Sequence, residues 1–147
     1  MSLGERLNDD MKQAMKNKDK FRLTVIRMIR SAIKNLEIAQ KRTLDDDEVL
    51  DILQREVKQR KDSLQEFTKA GREDLASDVQ AEIAVISEYL PQPMTEEEMK
   101  AVVQQTIQEV GASSKADMGK VMGAVMPKVK GRADGRLVNQ MVQQLLQ

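Results

Sequence analysis

Apolar residues recur at every third or fourth position along most of the chain, which is the spacing of amphipathic α-helices. Up to residue 90 this pattern predicts four helices, separated by short polar breaks at Asn17, Thr43 and Gly71. Ser2, with Glu5 three residues later, has the spacing of a capping box for the first helix. Thr43 and the aspartates that follow it stand at the start of the third helix. Gly71 stands where a left-handed residue would end the third helix, so the third and fourth helices are expected to form a hairpin.

Two prolines interrupt the pattern in the segment Leu90-Pro91-Gln92-Pro93. The fourth helix must end there, because proline disfavours helix in the preceding residue and lacks the next backbone donor. We therefore predict two domains, residues 1–91 and 94–147. Three further helices are expected to begin near Thr95, Ser114 and Asp134. Since the sequence shows no strand pattern of useful length, the predicted fold class is all-α, with a four-helix hairpin or bundle region followed by a small three-helix tail domain.

The sixth predicted helix contains two glycines, Gly119 and Gly123, although each glycine inside a helix costs about 1 kcal/mol relative to alanine. On a helical wheel both lie on the shoulder of the apolar stripe, and Lys120 projects to the opposite side. One interpretation is that the glycines let the fifth or seventh helix approach closely. The other is that a nucleic-acid backbone or a partner helix lies against this shoulder. Gly131 is a third candidate for close approach.

Basic residues cluster around these glycines, with six basic and two acidic side chains after residue 110. The basic ones are Lys115, Lys120, Lys128, Lys130, Arg132 and Arg136. Pro127 is expected to end or kink the sixth helix, so that residues 128–135 form an exposed basic turn. A cluster of one sign can neutralise phosphates. Because it holds no aromatic residue, recognition of the backbone or shape of folded RNA is expected rather than stacking on single-stranded bases.

Charge is segregated along the chain, although the net charge is zero. Residues 1–44 hold 11 basic and 5 acidic side chains, residues 45–110 hold 7 and 17, and residues 111–147 hold 6 and 2. The acidic middle is thus flanked by basic ends, and the C-terminal end is the better candidate for contact with a polyanion.

The sequence contains no histidine and no cysteine, which excludes Ser-His and Cys-His catalysis and thiolate metal sites. Ser114 and Lys115 are adjacent, but a serine at a helix entrance is more often a cap than a nucleophile. The acidic runs 45–48 and 96–98 stand at helix starts, where the helix dipole accounts for them. We therefore predict no catalytic residue, no metal site and no cofactor. No signal peptide or membrane span is recognisable, and a cytoplasmic location is expected.

The segment from Gly111 to Gly135 resembles the signature of the tail domain in the GatB/YqeY family. Ser2 to Arg30 and Lys58 to Phe67 are similar to free-standing YqeY proteins. The resemblance implies an all-helical protein with a helical bundle and a three-helix tail. In a multi-domain relative, the B subunit of the tRNA-dependent amidotransferase, the corresponding tail contacts the body of the tRNA.

The same resemblance implies a family-level label of carbon-nitrogen ligase with glutamine as amido donor. The sequence contains neither the large domain that activates the tRNA-borne acyl group nor the glutaminase, so the chain is not expected to catalyse that reaction by itself. Our leading hypothesis is a non-catalytic module that binds tRNA or a tRNA-like fold. The alternatives are a protein-interaction adaptor whose acidic hairpin, residues 45–90, docks a synthetase or amidotransferase complex, and an accessory of amidotransferase activity.

Overall fold

The computed structural model describes residues 1–146. All regular elements in this range are helical, so the predicted all-α class is confirmed. The α-helices are α1 (Leu3–Lys16), α2 (Lys20–Gln40), α3 (Asp46–Lys69), α4 (Glu73–Ser87), α5 (Glu96–Val110), α6 (Met118–Val129) and α7 (Gly135–Leu145). The chain divides into two compact units, a first unit that ends at Leu90 and a second unit that begins at Pro91.

The starts of α1 and α3 are capped by side chains as the sequence predicts, except that the cap of α3 is a different residue from the one expected. The capping box of α1 is present, since Ser2 Oγ accepts from the Glu5 amide at 3.1 Å and Glu5 accepts from the Ser2 amide at 3.2 Å. The cap of α3 is Asp45 rather than Thr43, and Asp45 forms the same reciprocal pair with Glu48. An aspartate at this position also places a carboxylate at the positive end of the helix.

The core of the first unit draws on all four of its helices, but it fills only part of the α3–α4 hairpin. The buried residues of α3 end at Val57, and those of α4 are Val85 and Ile86. Leu64 and Phe67, further along α3, are only partly buried. Gly71 has the left-handed conformation predicted for the end of α3, with φ +71°. The part of the hairpin between Val57 and Val85, which we call its distal part, therefore contains no fully buried side chain.

The second unit packs α5, α6 and α7 around fully buried valines, including Val103, Val125 and Val142. Thr95 caps α5 by accepting a hydrogen bond from the Glu98 amide at 3.1 Å. The reciprocal half of a capping box is missing, and the Glu98 carboxylate pairs with Arg132. Gly111 ends α5 in the left-handed region with φ +68°.

The sixth helix differs from the prediction at both ends. It begins at Met118, and residues Lys115–Asp117 form a 3₁₀ turn before it. It also continues through Pro127 to Val129. Val129 is fully buried and extends the inward-facing row of Val121 and Val125 by one turn. Burying this valine outweighs the backbone hydrogen bond that proline cannot make, so the exposed turn expected at residues 128–135 is shorter, and Lys128 belongs to the helix.

Candidate nucleic-acid interface

One side of α6 faces solvent, and two of its four exposed positions are glycines without a side chain. Gly119, Lys120, Gly123 and Pro127 are all exposed along it, and we call these four residues the open face of α6. A Cβ added at either glycine would meet no atom within 4 Å. The interpretation in which the glycines admit α5 or α7 is therefore wrong, since neither of these helices lies against them.

Gly131 is a glycine for a different reason. It follows α6 in the turn towards α7, with φ +83°, a left-handed conformation that strains any residue with a Cβ. Backbone geometry therefore explains this position without a bound partner.

Lys128 points towards α5 and is held there by two contacts. Its Nζ donates to Thr106 Oγ1 at 3.0 Å and to Glu109 Oε2 at 2.6 Å. Thr106 is fully buried and donates its own proton to the carbonyl of Val102 at 2.7 Å. Lys128 thus supplies a donor to a buried hydroxyl and connects two helices of the second unit.

Arg132 is held by the segment that precedes α5. Its Nε donates to the carbonyl of Gln92 at 2.9 Å and its Nη2 to Glu98 at 3.0 Å. The Arg132 carbonyl accepts from the Met94 amide at 2.8 Å. This residue therefore joins the start of the second unit to the turn between α6 and α7.

Three other predicted cations, Lys115, Lys120 and Arg136, are exposed and have no hydrogen-bond or ion-pair partner for their side chains among residues 1–146. Lys115 opens the 3₁₀ turn before α6, Lys120 lies in the first turn of α6, and Arg136 lies in the first turn of α7. These are the positive ends of helix dipoles, where carboxylates are favoured and cations are not. The helices α1, α3, α4 and α5 carry acidic residues in their first turns, whereas at α6 and α7 the acidic residues are the N-caps Asp117 and Asp134.

The six predicted cations therefore differ in the contacts of their side chains. Lys128 and Arg132 serve contacts within the second unit, while Lys115, Lys120 and Arg136 are available to a ligand. Lys130 is exposed beyond the end of α6, about 15 Å from Lys120 by the rise of a helix. Sequence reasoning missed the partner Thr106, although a threonine within the buried side of α5 indicates that some donor or acceptor must meet it.

Two absences bear on the kind of site. Among residues 1–146, no group of three or more acidic side chains is placed to hold a metal ion. In the same part of the chain no helix has both the length and the apolar character needed to cross a bilayer.

Fold and surface together define an all-helical protein of two units, the second of which exposes cations at helix N-termini. The model of the family described as Yqey-like protein matches residues 4–146. The chain belongs to this family, as the resemblance at Gly111 to Gly135 implied.

The chain is similar to curated yeast proteins named altered inheritance of mitochondria protein 41, mitochondrial. The protein of Lachancea thermotolerans is 41% identical over 111 residues, which is 74% of this chain and 59% of the relative. That of Kluyveromyces lactis is 42% identical over 102 residues, 67% of this chain and 55% of the relative. That of Saccharomyces cerevisiae S288c is 41% identical over 87 residues, which is 58% of this chain and 47% of the relative. The chain spans about half the length of these relatives. Their names call them mitochondrial, and the cytoplasmic location expected for this chain stays a prediction.

Proposed function

We propose that the second unit is a non-catalytic module that binds the phosphate backbone of a structured RNA, tRNA or a tRNA-like fold. The observation that carries the proposal is the placement of Lys115, Lys120 and Arg136. Each is exposed and has no partner among residues 1–146; Lys120 and Arg136 lie in the first turns of α6 and α7, and Lys115 opens the 3₁₀ turn that precedes α6. The dipole at a helix N-terminus attracts a bound phosphate as well as the N-cap carboxylates Asp117 and Asp134, and the neighbouring cations would add to that attraction.

The open face of α6 supports the same proposal. Without side chains at Gly119 and Gly123, the helix backbone can come close to a sugar-phosphate strand beside Lys120. No aromatic residue occurs after residue 110, so the module would recognise backbone and shape rather than unstacked bases. The link to tRNA, and to an amidotransferase or aminoacyl-tRNA synthetase complex, comes from the family resemblance.

The proposal is tested by measuring the affinity of a labelled tRNA over a salt series. Lys120→Glu is expected to weaken binding about tenfold near 0.1 M salt, and its salt slope is expected to fall by roughly 0.7–0.9, the effect of one lost phosphate contact. Lys100→Glu is the matched control, because Lys100 is exposed on α5 of the same unit and the change in charge is identical. The absence of binding at low salt, or an equal loss in both variants, would refute the proposal.

A second candidate function, a protein-interaction adaptor, is favoured by the distal part of the α3–α4 hairpin, which lacks a fully buried side chain. Such a pair of helices can bury more apolar surface against a partner. Capture of a synthetase or amidotransferase complex that survives Lys120→Glu but fails in D62K/E66K, which reverses two exposed carboxylates of the distal hairpin without touching the core, would support this alternative.

A further inference from the structure

A second cationic surface lies in the first unit, in a cleft of about 740 Å³ between α1 and α2. We call this cleft the α1–α2 groove. Its α1 side is formed by Leu7, Met11 and Met15. Met15 is 51% exposed, so about half of this apolar side chain is open to a partner. The two methionines are four residues apart and therefore stand one above the other on α1.

The α2 side of the groove carries three cations, Arg27, Arg30 and Lys34. Their spacing of three and four residues aligns them along one edge of α2 over about 10 Å. Among residues 1–146, none of the three has a carboxylate partner. Arg30 is half-buried, and its guanidinium donates only to the sulfur of Met11, at 2.8 Å.

The single carboxylate lining the groove, Glu37, is already engaged. Its Oε2 accepts a hydrogen bond from the Leu44 amide at 3.0 Å. The groove therefore combines an adaptable thioether floor with a row of cations that form no ion pair within residues 1–146.

We propose that the α1–α2 groove is a docking site for an acidic amphipathic helix of a partner protein. A helix laid along it would place apolar residues on Met11 and Met15 and carboxylates, repeating every three or four residues, opposite Arg27, Arg30 and Lys34. The periodicities match because both sides are helical. A nucleic acid fits less well, since a sugar-phosphate backbone would pair with the cations but would leave the apolar surface of Met11 and Met15 without an apolar partner.

The probe for this site is a synthetic helical peptide of about 18 residues, long enough to be partly helical in water. It carries leucines at helical spacing with glutamates beside them, and a second peptide replaces each glutamate by lysine. The ten methionines of the chain provide the readout as labelled methyl groups in NMR spectra of the whole protein. The acidic peptide is expected to shift the methyl signals of Met11 and Met15 and to leave those of Met118 and Met122 in place.

Charge reversal tests the cationic edge. The double variant R27E/K34E is expected to raise the peptide dissociation constant about tenfold, as for two exposed ion pairs lost. K58E/K61E changes two exposed lysines of α3 by the same charge and is expected to bind normally.

Equal binding of the lysine peptide, or no movement of Met11 and Met15, would overturn the docking site, and both results come from the unaltered protein. If tRNA rather than the acidic peptide shifts these two methyl groups, and R27E/K34E loses tRNA, the groove binds nucleic acid and the inference fails. The proposed function of the second unit does not depend on that result, because it is tested by the effect of Lys120→Glu on tRNA binding.

Discussion

Lys128 on α6 donates a hydrogen bond to the buried hydroxyl of Thr106 on α5, with 3.0 Å between nitrogen and oxygen. The same ammonium reaches Glu109 at 2.6 Å. A residue whose charge suggested phosphate binding is thus placed to stabilise the contact between two helices. A substitution of Lys128 is therefore expected to change the stability of the second unit, whether or not Lys128 also contacts a ligand.

Lys128→Ala is expected to lower the free energy of unfolding of the second unit by about 1–2 kcal/mol, because Thr106 loses its donor and Glu109 its partner. Lys120→Ala, which removes an exposed side chain without a partner among residues 1–146, is expected to stay within about 0.5 kcal/mol. Hydrogen exchange measured on peptides of α5 and α6 gives both values separately from the first unit. Equal protection in the two variants would show that the Lys128 contacts contribute nothing.

Alanine at Gly123 separates stability from function. The position is helical, exposed and free of neighbours within 4 Å, so Gly123→Ala is expected to stabilise the second unit by up to about 1 kcal/mol. If an RNA backbone lies against the open face of α6, the same methyl group is expected to weaken tRNA binding.

Gly131→Ala is the control for this pair of effects. With φ +83° the substitution strains the backbone and is expected to destabilise by about 1 kcal/mol. A stabilised Gly123→Ala variant with unchanged tRNA affinity would show that the glycines do not serve close approach. Thermal unfolding measures the change in stability of each variant, and the tRNA titration measures its change in affinity.

The helices were predictable because their signals are local. Apolar spacing, the cap at Ser2 and the left-handed glycines at positions 71 and 111 each act within one or two turns. Pro127 was misjudged because the burial of Val129, a tertiary effect, overrides the local preference of proline.

The candidate site was predictable in composition but not in geometry. The cations were identified from their clustering, yet the partners of Lys128 and Arg132 lie 22 and 40 residues away along the chain. A helical wheel assigns directions within one helix and says nothing about which neighbouring helix supplies an acceptor. The family could be recognised because its signature is contiguous, from Gly111 to Gly135.

Glu48 gives the first unit a defined acid sensitivity. Hydrogen bonds from Arg42, and secondarily from the backbone at Asp45, lower the pKa of Glu48 from 4.5 to about 2. A depressed folded-state pKa contributes stability that is complete above pH 4.5 and is lost as the pH falls towards about 2. Glu48→Gln keeps an acceptor for the helix cap but cannot titrate. The difference in melting temperature between the two proteins is therefore expected to shrink across this window, and a constant difference would contradict the ion pair with Arg42.

Tyr89 provides an optical test of the first unit at alkaline pH. Its side chain is buried, its hydroxyl donates to the Asp10 carboxylate, and the Arg6 guanidinium lies 4.6 Å from the ring centroid. Burial first, and then the bond to Asp10, raise the pKa of Tyr89 above its ordinary value. A raised pKa contributes stability that is complete below about pH 10 and is lost as the pH rises through the folded value.

The chain has one tyrosine and no tryptophan, so phenolate absorbance reports on Tyr89 alone. In denaturant the phenol is expected to ionise near pH 10, whereas in the folded protein ionisation is expected only as the first unit unfolds. Asp10→Asn removes the carboxylate charge while keeping an acceptor, and it is expected to bring the folded ionisation closer to the ordinary value. Should the unaltered folded protein titrate near pH 10, the phenol would be in water, and the contact that ties the end of the first unit to α1 would not persist in solution.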